Sequence, residues 1–218
     1  MRIVIIGNGM VGHKFCEKLA GKDHNFEIIV FGEEIRPAYD RVHLSEYFSG
    51  KTAEDLTLAS SQWYYDNNIT LYLGDPVKEI DRTSKTVRSH NNIVAPYDYL
   101  IFATGSSAFV PPIPGVEKEG VFIYRTIEDL EMMTSYARKA KKGAVIGGGL
   151  LGLEAAKAMM DLGISEIHVI EFAQRLMPRQ IDDAGSKILR NKLESLGLKI
   201  HTNTNTKEIV GGNSICAM

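Results

Sequence analysis

The chain has 218 residues, 44% of them hydrophobic, with 25 basic and 27 acidic side chains and a net charge of −2. That balance excludes an electrostatic case for nucleic acid or an anionic membrane surface. No apolar run reaches the ~18–20 residues of a membrane span. The two cysteines, Cys16 and Cys216, stand far apart, so neither a disulfide framework nor a C-x-x-C redox pair is expected. A reducing, cytoplasmic setting is expected instead. Met1-Arg2 leads straight into a candidate strand, which predicts no leader peptide.

The first predicted element is the apolar strand Ile3–Ile6, followed at once by Gly7-Asn8-Gly9-Met10-Val11-Gly12. A helix is predicted from Met10 to Ala20, with Val11, Phe15 and Leu19 along one side and a stop at Gly21. A strand follows over Glu27–Phe31, then a loop from Gly32 to Ser49 and a short helix from Ser61 to Asn67. Leu71–Leu73 and Val77–Ile80 read as strands, Thr86–Ser89 and Ile93–Ala95 as a polar hairpin, and Tyr99–Phe102 as a buried strand ending in Ala103-Thr104-Gly105.

Three prolines within Pro111-Pro112-Ile113-Pro114 can sustain neither a ladder nor a helix, which places a domain boundary there. The expected domains are 1–115 and 116–218. Thr126 and Asp129 approximate a capping box for a helix running to about Lys141, its end marked by the cations of 138–142. The strand Ala144–Ile146 then meets a second glycine turn, Gly147-Gly148-Gly149-Leu150-Leu151-Gly152. A strand over Ile167–Ile170, a helix over Asp182–Leu196 stopped by Gly197, a strand over Lys199–His201 and a strand candidate at Ile209-Val210 complete the pattern.

Each glycine turn follows a strand and opens a helix, the context in which G-x-G-x-x-G signals a dinucleotide. The first glycine permits the tight turn, the second admits a pyrophosphate, and the third lets helix and strand pack closely. The helix start offers unpaired N–H groups to the phosphates. Two such sites imply two dinucleotides and electron transfer between them. The fold class is therefore α/β, with two Rossmann-type three-layer domains.

Further candidates cluster around these turns. Glu171 ends the strand nineteen residues past Gly152, where a carboxylate accepts from ribose hydroxyls and repels a 2′-phosphate, favouring NADH. Arg175, close by, could tolerate that phosphate. In the first unit Gly32 stands where the carboxylate belongs, so either Glu33 reaches back or backbone makes the contact. Arg41 either forks onto cofactor phosphates or pairs with Asp40 or solvent. Glu154 either faces the meeting point of two cofactor rings or favours the start of its helix. Gly105 can take a positive φ beside a cofactor. The six histidines show no metal spacing, and hydrogen-bonding or surface roles are expected of His13 and His43. Trp63, Tyr64 and Tyr65 are expected to pack in the core.

Longer strings carry a resemblance: Ile6-Gly7-Asn8-Gly9-Met10-Val11-Gly12-His13, Ala38-Tyr39-Asp40-Arg41-Val42-His43-Leu44-Ser45, Tyr124-Arg125-Thr126-Ile127-Glu128-Asp129-Leu130, the stretch Gly147 to Ala156, and His168 to Ala173. The chain resembles the N-terminal region of the assimilatory NAD(P)H nitrite reductase large subunits, within the FAD-dependent pyridine nucleotide oxidoreductases. The resemblance implies FAD at Gly7, Gly9, Met10, Val11, Gly12, Glu33, Arg41, Val77, Ala103, Thr104 and Gly105, with Arg125 a weaker candidate. It implies NAD(P)H at Gly147, Gly149, Leu150, Leu151, Gly152 and Glu171, with hydride transfer from nicotinamide to flavin and no resident metal. Electrons would pass to an acceptor, either a sirohaem/iron–sulfur module or a small redox protein. Two unclustered cysteines cannot ligate an iron–sulfur cluster, so nitrite reduction is not expected of these residues alone.

Both domains are expected to be truncated, and the tail from Asn213 is expected to be a truncation scar or a frameshifted end. Open sheet edges favour association, so a homo-oligomer is one expected state. A rubredoxin or ferredoxin reductase-like enzyme and a nucleotide-binding fragment without turnover are the alternative readings.

Overall fold

The computed structural model describes residues 1–22 and 25–217, so the readings that touch His24 and Met218 lie outside the described residues. The chain divides into two compact units, Met1–His43 with Thr52–Ser107, and Leu44–Lys51 with the chain from Ala108 onward. The sequence places the division at Gly115; the chain itself turns from one unit to the other at Ser107 and lends Leu44–Lys51 to the second.

The first unit contains β1 (Arg2–Ile6), α1 (Met10–Ala20), β2 (Glu27–Phe31), α2 (Ala53–Leu56), α3 (Ser61–Asp66), β3 (Ile69–Tyr72), β4 (Val77–Asp81), β5 (Thr86–Ser89), β6 (Val94–Pro96) and β7 (Tyr99–Phe102). Strands β3-β2-β1-β7 form a parallel sheet in that order. Parallel strands are covered on both faces and so read as continuous apolar runs. Ile3, Ile5, Ile28 and Val30 face Cys16 of α1 and Tyr64 of α3. Val4, Ile6, Ile29 and Phe31 face Val87 and Ala95 of the antiparallel sheet β4-β5-β6. The unit is thus three layers, and each fully buried aliphatic side chain contributes about 1.5–3 kcal/mol.

The chain order reverses at β1: β2 and β3 lie to one side of it and β7 to the other. Ligands of open α/β sheets bind at such a switch point, beyond the carboxyl ends of the strands. The expected two-stranded hairpin is a three-stranded sheet, because β4 also pairs with β5. The expected loop holds a 3₁₀ turn at Leu44–Ser49, and α2 follows it under a Thr52/Asp55 capping box.

The second unit contains that 3₁₀ turn, α4 (Ile127–Ala137), β8 (Lys142–Ile146), α5 (Leu150–Asp161), β9 (Glu166–Ile170), α6 (Asp183–Ser195), β10 (Leu198–His201), β11 (Val210–Gly211) and β12 (Ile215–Ala217). Strands β10-β9-β8 are parallel. Val145, Ile167, Val169, Leu198 and Ile200 pack against Ala155 and Ala156 of α5, with Leu189 and Leu193 of α6 alongside. The Thr126/Asp129 capping box forms as expected. Helix α4 stops at Ala137, short of the expected Lys141: the cations belong to the turn and to β8, where Lys142 pairs with Glu166. The tail from Asn213 turns back, and β12 pairs with β11 as an antiparallel hairpin.

The alternate residues of β9 and β10 carry charge. Glu166 bonds Lys142 and Lys199, and its Oε1 lies 3.3 Å from His168 Nε2. His168 Nδ1 in turn meets His201 Nε2 at 2.9 Å with the rings near-parallel at 7°, a contact that needs one proton between two imidazoles. Hydrogen bonds from Lys142, then Lys199 and His168, hold the Glu166 carboxyl down at about 2. A depressed carboxyl stabilises the fold above its ordinary value and loses that contribution as pH falls through the folded value. We therefore expect Glu166→Gln to flatten the loss of stability between the ordinary glutamate range and pH 2. Urea midpoints measured across that range check it; parallel pH profiles for the two proteins would contradict it.

Candidate functional site: two glycine cradles

Both glycine turns are built by the same contacts. The Gly7 N–H donates to the Phe31 carbonyl at 2.8 Å, and the Gly147 N–H donates to the Ile170 carbonyl at 2.8 Å. Gly7 and Gly147 take φ of +107° and +115°, which side-chain-bearing residues avoid. A β-carbon on Gly12 would lie 2.1 Å from the Gly7 carbonyl oxygen, and one on Gly152 would lie 2.0 Å from that of Gly147. The third glycine of each turn thus lets the helix close onto the strand end.

The middle glycines differ. A β-carbon on Gly9 or Gly149 would meet nothing within 4 Å. These glycines are the N-caps of α1 and α5, and neither helix start has a side-chain cap. Among the described helices, α2, α3, α4 and α6 are capped by Thr52, Ser60, Thr126 and Asp182. The first-turn N–H groups left unpaired at α1 and α5 need an acceptor from elsewhere, and phosphate oxygens are suited to that place. The open space and the orphan donors fit a dinucleotide at both turns.

In the first unit, the Ala103 N–H donates to the Ile6 carbonyl at 2.8 Å, and a β-carbon on Gly7 would lie 2.2 Å from the Ala103 carbonyl oxygen. The ends of β1 and β7 therefore bring Gly7, Gly9, Met10, Val11 and Gly12 together with Ala103, Thr104 and Gly105. Gly105 takes the expected positive φ, +67°. Asn8, inside the turn, is held from α3: the Tyr64 hydroxyl donates to Asn8 Oδ1 at 2.8 Å and meets His13 Nδ1 at 3.1 Å. Asn8 Nδ2 is buried without a partner, a further donor at the cradle. Burial holds His13 below its usual range and pushes the Tyr64 hydroxyl up. Of the aromatic trio expected in the core, Tyr64 is buried and Tyr65 is 77% exposed. Consecutive helical residues point in different directions.

Glu33 is exposed just past β2. The neighbouring Glu34 accepts from Tyr39 at 2.6 Å and binds Arg41, whose guanidinium lies 4.9 Å from the Tyr39 ring centroid. Asp40 serves His43 instead, bonding its ring at 2.7 Å, and its carboxyl is held below the usual range chiefly by that bond. Val77 is half-buried at the start of β4. Arg125 belongs to the second unit.

In the second unit, Glu171 Oε2 accepts from the Gly148 N–H at 2.6 Å and Oε1 from the Ala173 N–H at 2.7 Å. Each oxygen keeps a lone pair for a ribose hydroxyl. Gly148 was not among the expected ligands, yet a β-carbon there would strike Leu176 at 2.6 Å and Glu171 at 3.0 Å. The run of three glycines is the signal that marks it. A cavity of ≈ 580 Å³ opens beside Gly147 and Glu171, walled by Pro112, Phe172, Thr206 and Lys207 among others. Pro112 lies in the proline run and Phe172 in the string His168 to Ala173, whereas no motif announces Thr206 and Lys207. Arg175 is committed to Asp183 at 2.6 Å and to the Pro178 carbonyl at 3.3 Å. Glu154 is the fifth residue of α5 and lies past its first turn, which removes the expected helix-start role as its explanation. It is half-buried beside Tyr124.

Cys16 is buried with its thiol pushed up to about 12 by desolvation, and Cys216 is exposed; neither is in a disulfide. No group of His, Cys, Asp and Glu suited to a metal gathers among the described residues, and no described helix is long and apolar enough to cross a membrane. The cradle geometry separates folding from binding. Gly149→Ala meets open space and should leave the urea midpoint unchanged while weakening dinucleotide binding tenfold or more, about 1.4 kcal/mol. Gly152→Ala should lower the midpoint itself, since its methyl meets backbone. Calorimetric titration beside denaturation checks the pair, and equal effects of the two substitutions on stability would contradict the reading.

The chain is similar to known proteins along nearly its full length. It is 52% identical over 212 residues to the nitrite reductase (NADH) large subunit of Escherichia coli (strain K12), covering 96% of this chain and 25% of that protein. A NAD-dependent persulfide reductase from A. fulgidus superposes with a TM-score of 0.90 at 30% identity, over 98% of this chain and 42% of its own. The NADH:rubredoxin oxidoreductase of Clostridium acetobutylicum superposes with a TM-score of 0.81 at 31% identity, over 94% of this chain and 53% of its own. The chain thus spans about a quarter of the E. coli relative and about half or less of these solved structures. The sequence pattern of one family matches residues 1–217, and on that match the chain belongs to the pyridine nucleotide-disulphide oxidoreductase family.

Proposed function

We propose that this chain is the flavin-reducing front end of a nitrite reductase large subunit, passing reducing equivalents from NAD(P)H to FAD and on to a separate redox module. The observation that carries the reading is the pair of cradles, each with an uncapped helix start and open space at its middle glycine. The identity with the E. coli nitrite reductase subunit supports the choice among electron acceptors. Residues 1–115 are the proposed FAD-binding domain and 116–218 the proposed nicotinamide-binding domain. A cytoplasmic location is proposed with them.

FAD is assigned to Gly7, Gly9, Met10, Val11 and Gly12, to Glu33, Arg41 and Val77, and to Ala103, Thr104 and Gly105, with Arg125 a weaker candidate. NAD(P)H is assigned to Gly147, Gly149, Leu150, Leu151, Gly152 and Glu171. Gly147–Gly152 would hold the nicotinamide dinucleotide, which would supply a hydride, and Gly7–Gly12 would hold the flavin dinucleotide that would accept it. The chain's own work is positional. The N–H groups of α1 and α5 hold phosphate, the glycine crossings let backbone approach, and Ala103 and Gly105 leave room at the end of β7. Glu154 is proposed beside the reacting rings. The buried Cys16 and the lone Cys216 take no part, so the sirohaem and iron–sulfur chemistry belongs to another module.

A second reading is a short reductase for a small redox protein. The likeness to the rubredoxin oxidoreductase favours it, since the chain matches a larger share of that protein than of the E. coli subunit. NADH is the proposed donor, because Glu171 already presents both oxygens at the end of β9 and repels a 2′-phosphate. The test is anaerobic addition of NADH or NADPH to the FAD-loaded chain, followed by flavin absorption. NADH should bleach the flavin at lower concentration than NADPH, and Glu171→Ala should erase that difference. A yellow protein that neither nucleotide bleaches would overturn the reading, as would a chain that takes up no FAD. Either result would leave a nucleotide-binding fragment without turnover.

A further inference from the structure

Phe172 is 74% exposed, one residue past the carboxylate Glu171, and it walls the cavity of ≈ 580 Å³ that opens beside Gly147. An exposed phenylalanine forgoes the gain of burial. Phe31, Phe48 and Phe122 each lie against another aromatic ring, and Phe172 lies against none among the described residues. Its exposure does not come from a loose loop. The Glu171 N–H donates to the His201 carbonyl at 2.8 Å, the Thr204 N–H to the Glu171 carbonyl at 3.0 Å, and the Asn203 N–H to the Ala173 carbonyl at 2.7 Å. The Ala173 N–H donates in turn to Glu171 Oε1 at 2.7 Å, which closes a turn around Phe172. The residues before and after Phe172 are thus tied to the loop that follows β10, and Thr206 and Lys207 of that loop line the same cavity.

A dinucleotide laid on Gly147–Gly152 puts its pyrophosphate at the start of α5 and a ribose on Glu171. The base joined to that ribose is the next group along the ligand, and Phe172 is the next residue along the chain. Adenine has apolar faces and a polar edge, which suits a slot walled by Phe172 and Pro112 with Thr206 and Lys207 in the same lining. We propose that Phe172 is the platform on which the adenine of the nicotinamide dinucleotide stacks. Stacking at that end is indifferent to the oxidation state of the nicotinamide, so the platform holds NADH and NAD⁺ alike.

The proposal rests on the reading that a nicotinamide dinucleotide occupies Gly147–Gly152. The test titrates ADP-ribose, which keeps the adenosine half and lacks the nicotinamide, into the full chain and into Phe172→Ala and Phe172→Tyr by calorimetry. Phe172→Ala should weaken binding about tenfold, the size of one base–aromatic stack, and Phe172→Tyr should keep the unaltered affinity. In Phe172→Trp the added indole fluorescence, read over the background of Trp63, should be quenched as ADP-ribose binds. Urea midpoints should match across the set, since the side chain is exposed. Unchanged affinity in Phe172→Ala would overturn the assignment, and so would an equal loss in Phe172→Tyr or an indole blind to ADP-ribose. A fall in the Phe172→Ala midpoint would mark a purely structural side chain and overturn it too. Failure of the unaltered chain to bind ADP-ribose would instead sink the cradle proposal beneath it.

Discussion

At Gly12 and again at Gly152, a backbone carbonyl oxygen stands where a β-carbon would be. Both units are arranged around that crossing. It sets how closely α1 approaches β1 and α5 approaches β8, and therefore where the first N–H groups of each helix point. Any side chain at the crossing would push the helix off the strand end and turn those donors away. The positive φ of Gly7 and Gly147 follows from the same demand, because the chain must leave the strand and reverse within two residues. The apolar strands matter to function mainly as the rigid floor on which this crossing is held.

The crossing was legible in sequence because its cause is local: the glycines, the apolar run before them and the helical pattern after them lie within one short window. The strand Glu27–Phe31 was legible for the same reason, and so were the bounds of Tyr99–Phe102 and Met10–Ala20, but not their burial: Tyr99 and Phe102 are 54% and 63% exposed on an edge strand, and α1 buries Gly12, His13 and Cys16 while Val11 of its expected apolar side is 71% exposed. The 3₁₀ turn at Leu44–Ser49 and the four-residue α2 are too short to show a period, although Thr52 and Asp55 do spell a capping box. The cations of 138–142 misled, since charge at a helix end and charge at a strand start look alike in one dimension. Glu166, twenty-four residues on, decides the matter for Lys142.

The candidate site was legible in outline and not in its bracing. Tyr64 reaches Asn8 across 56 positions, and no spacing rule connects them. The bond pins the variable residue of the first turn to a buried hydroxyl, so that the turn is positioned from below by α3. Glu34 rather than its neighbour Glu33 takes up Arg41 and Tyr39, a choice set by where the loop after β2 folds back. The two cradles share backbone geometry and differ in what braces them: amide and phenol brace the first, and a carboxylate gripped by backbone braces the second.

The central claim is that each crossing makes its own dinucleotide cradle, and the number of occupied sites tests it most directly. FAD and NAD⁺ titrated calorimetrically into the chain, separately and then together, should each reach one per chain without displacing the other. Competition of the two for a single site, or a crossing that binds neither, would contradict it.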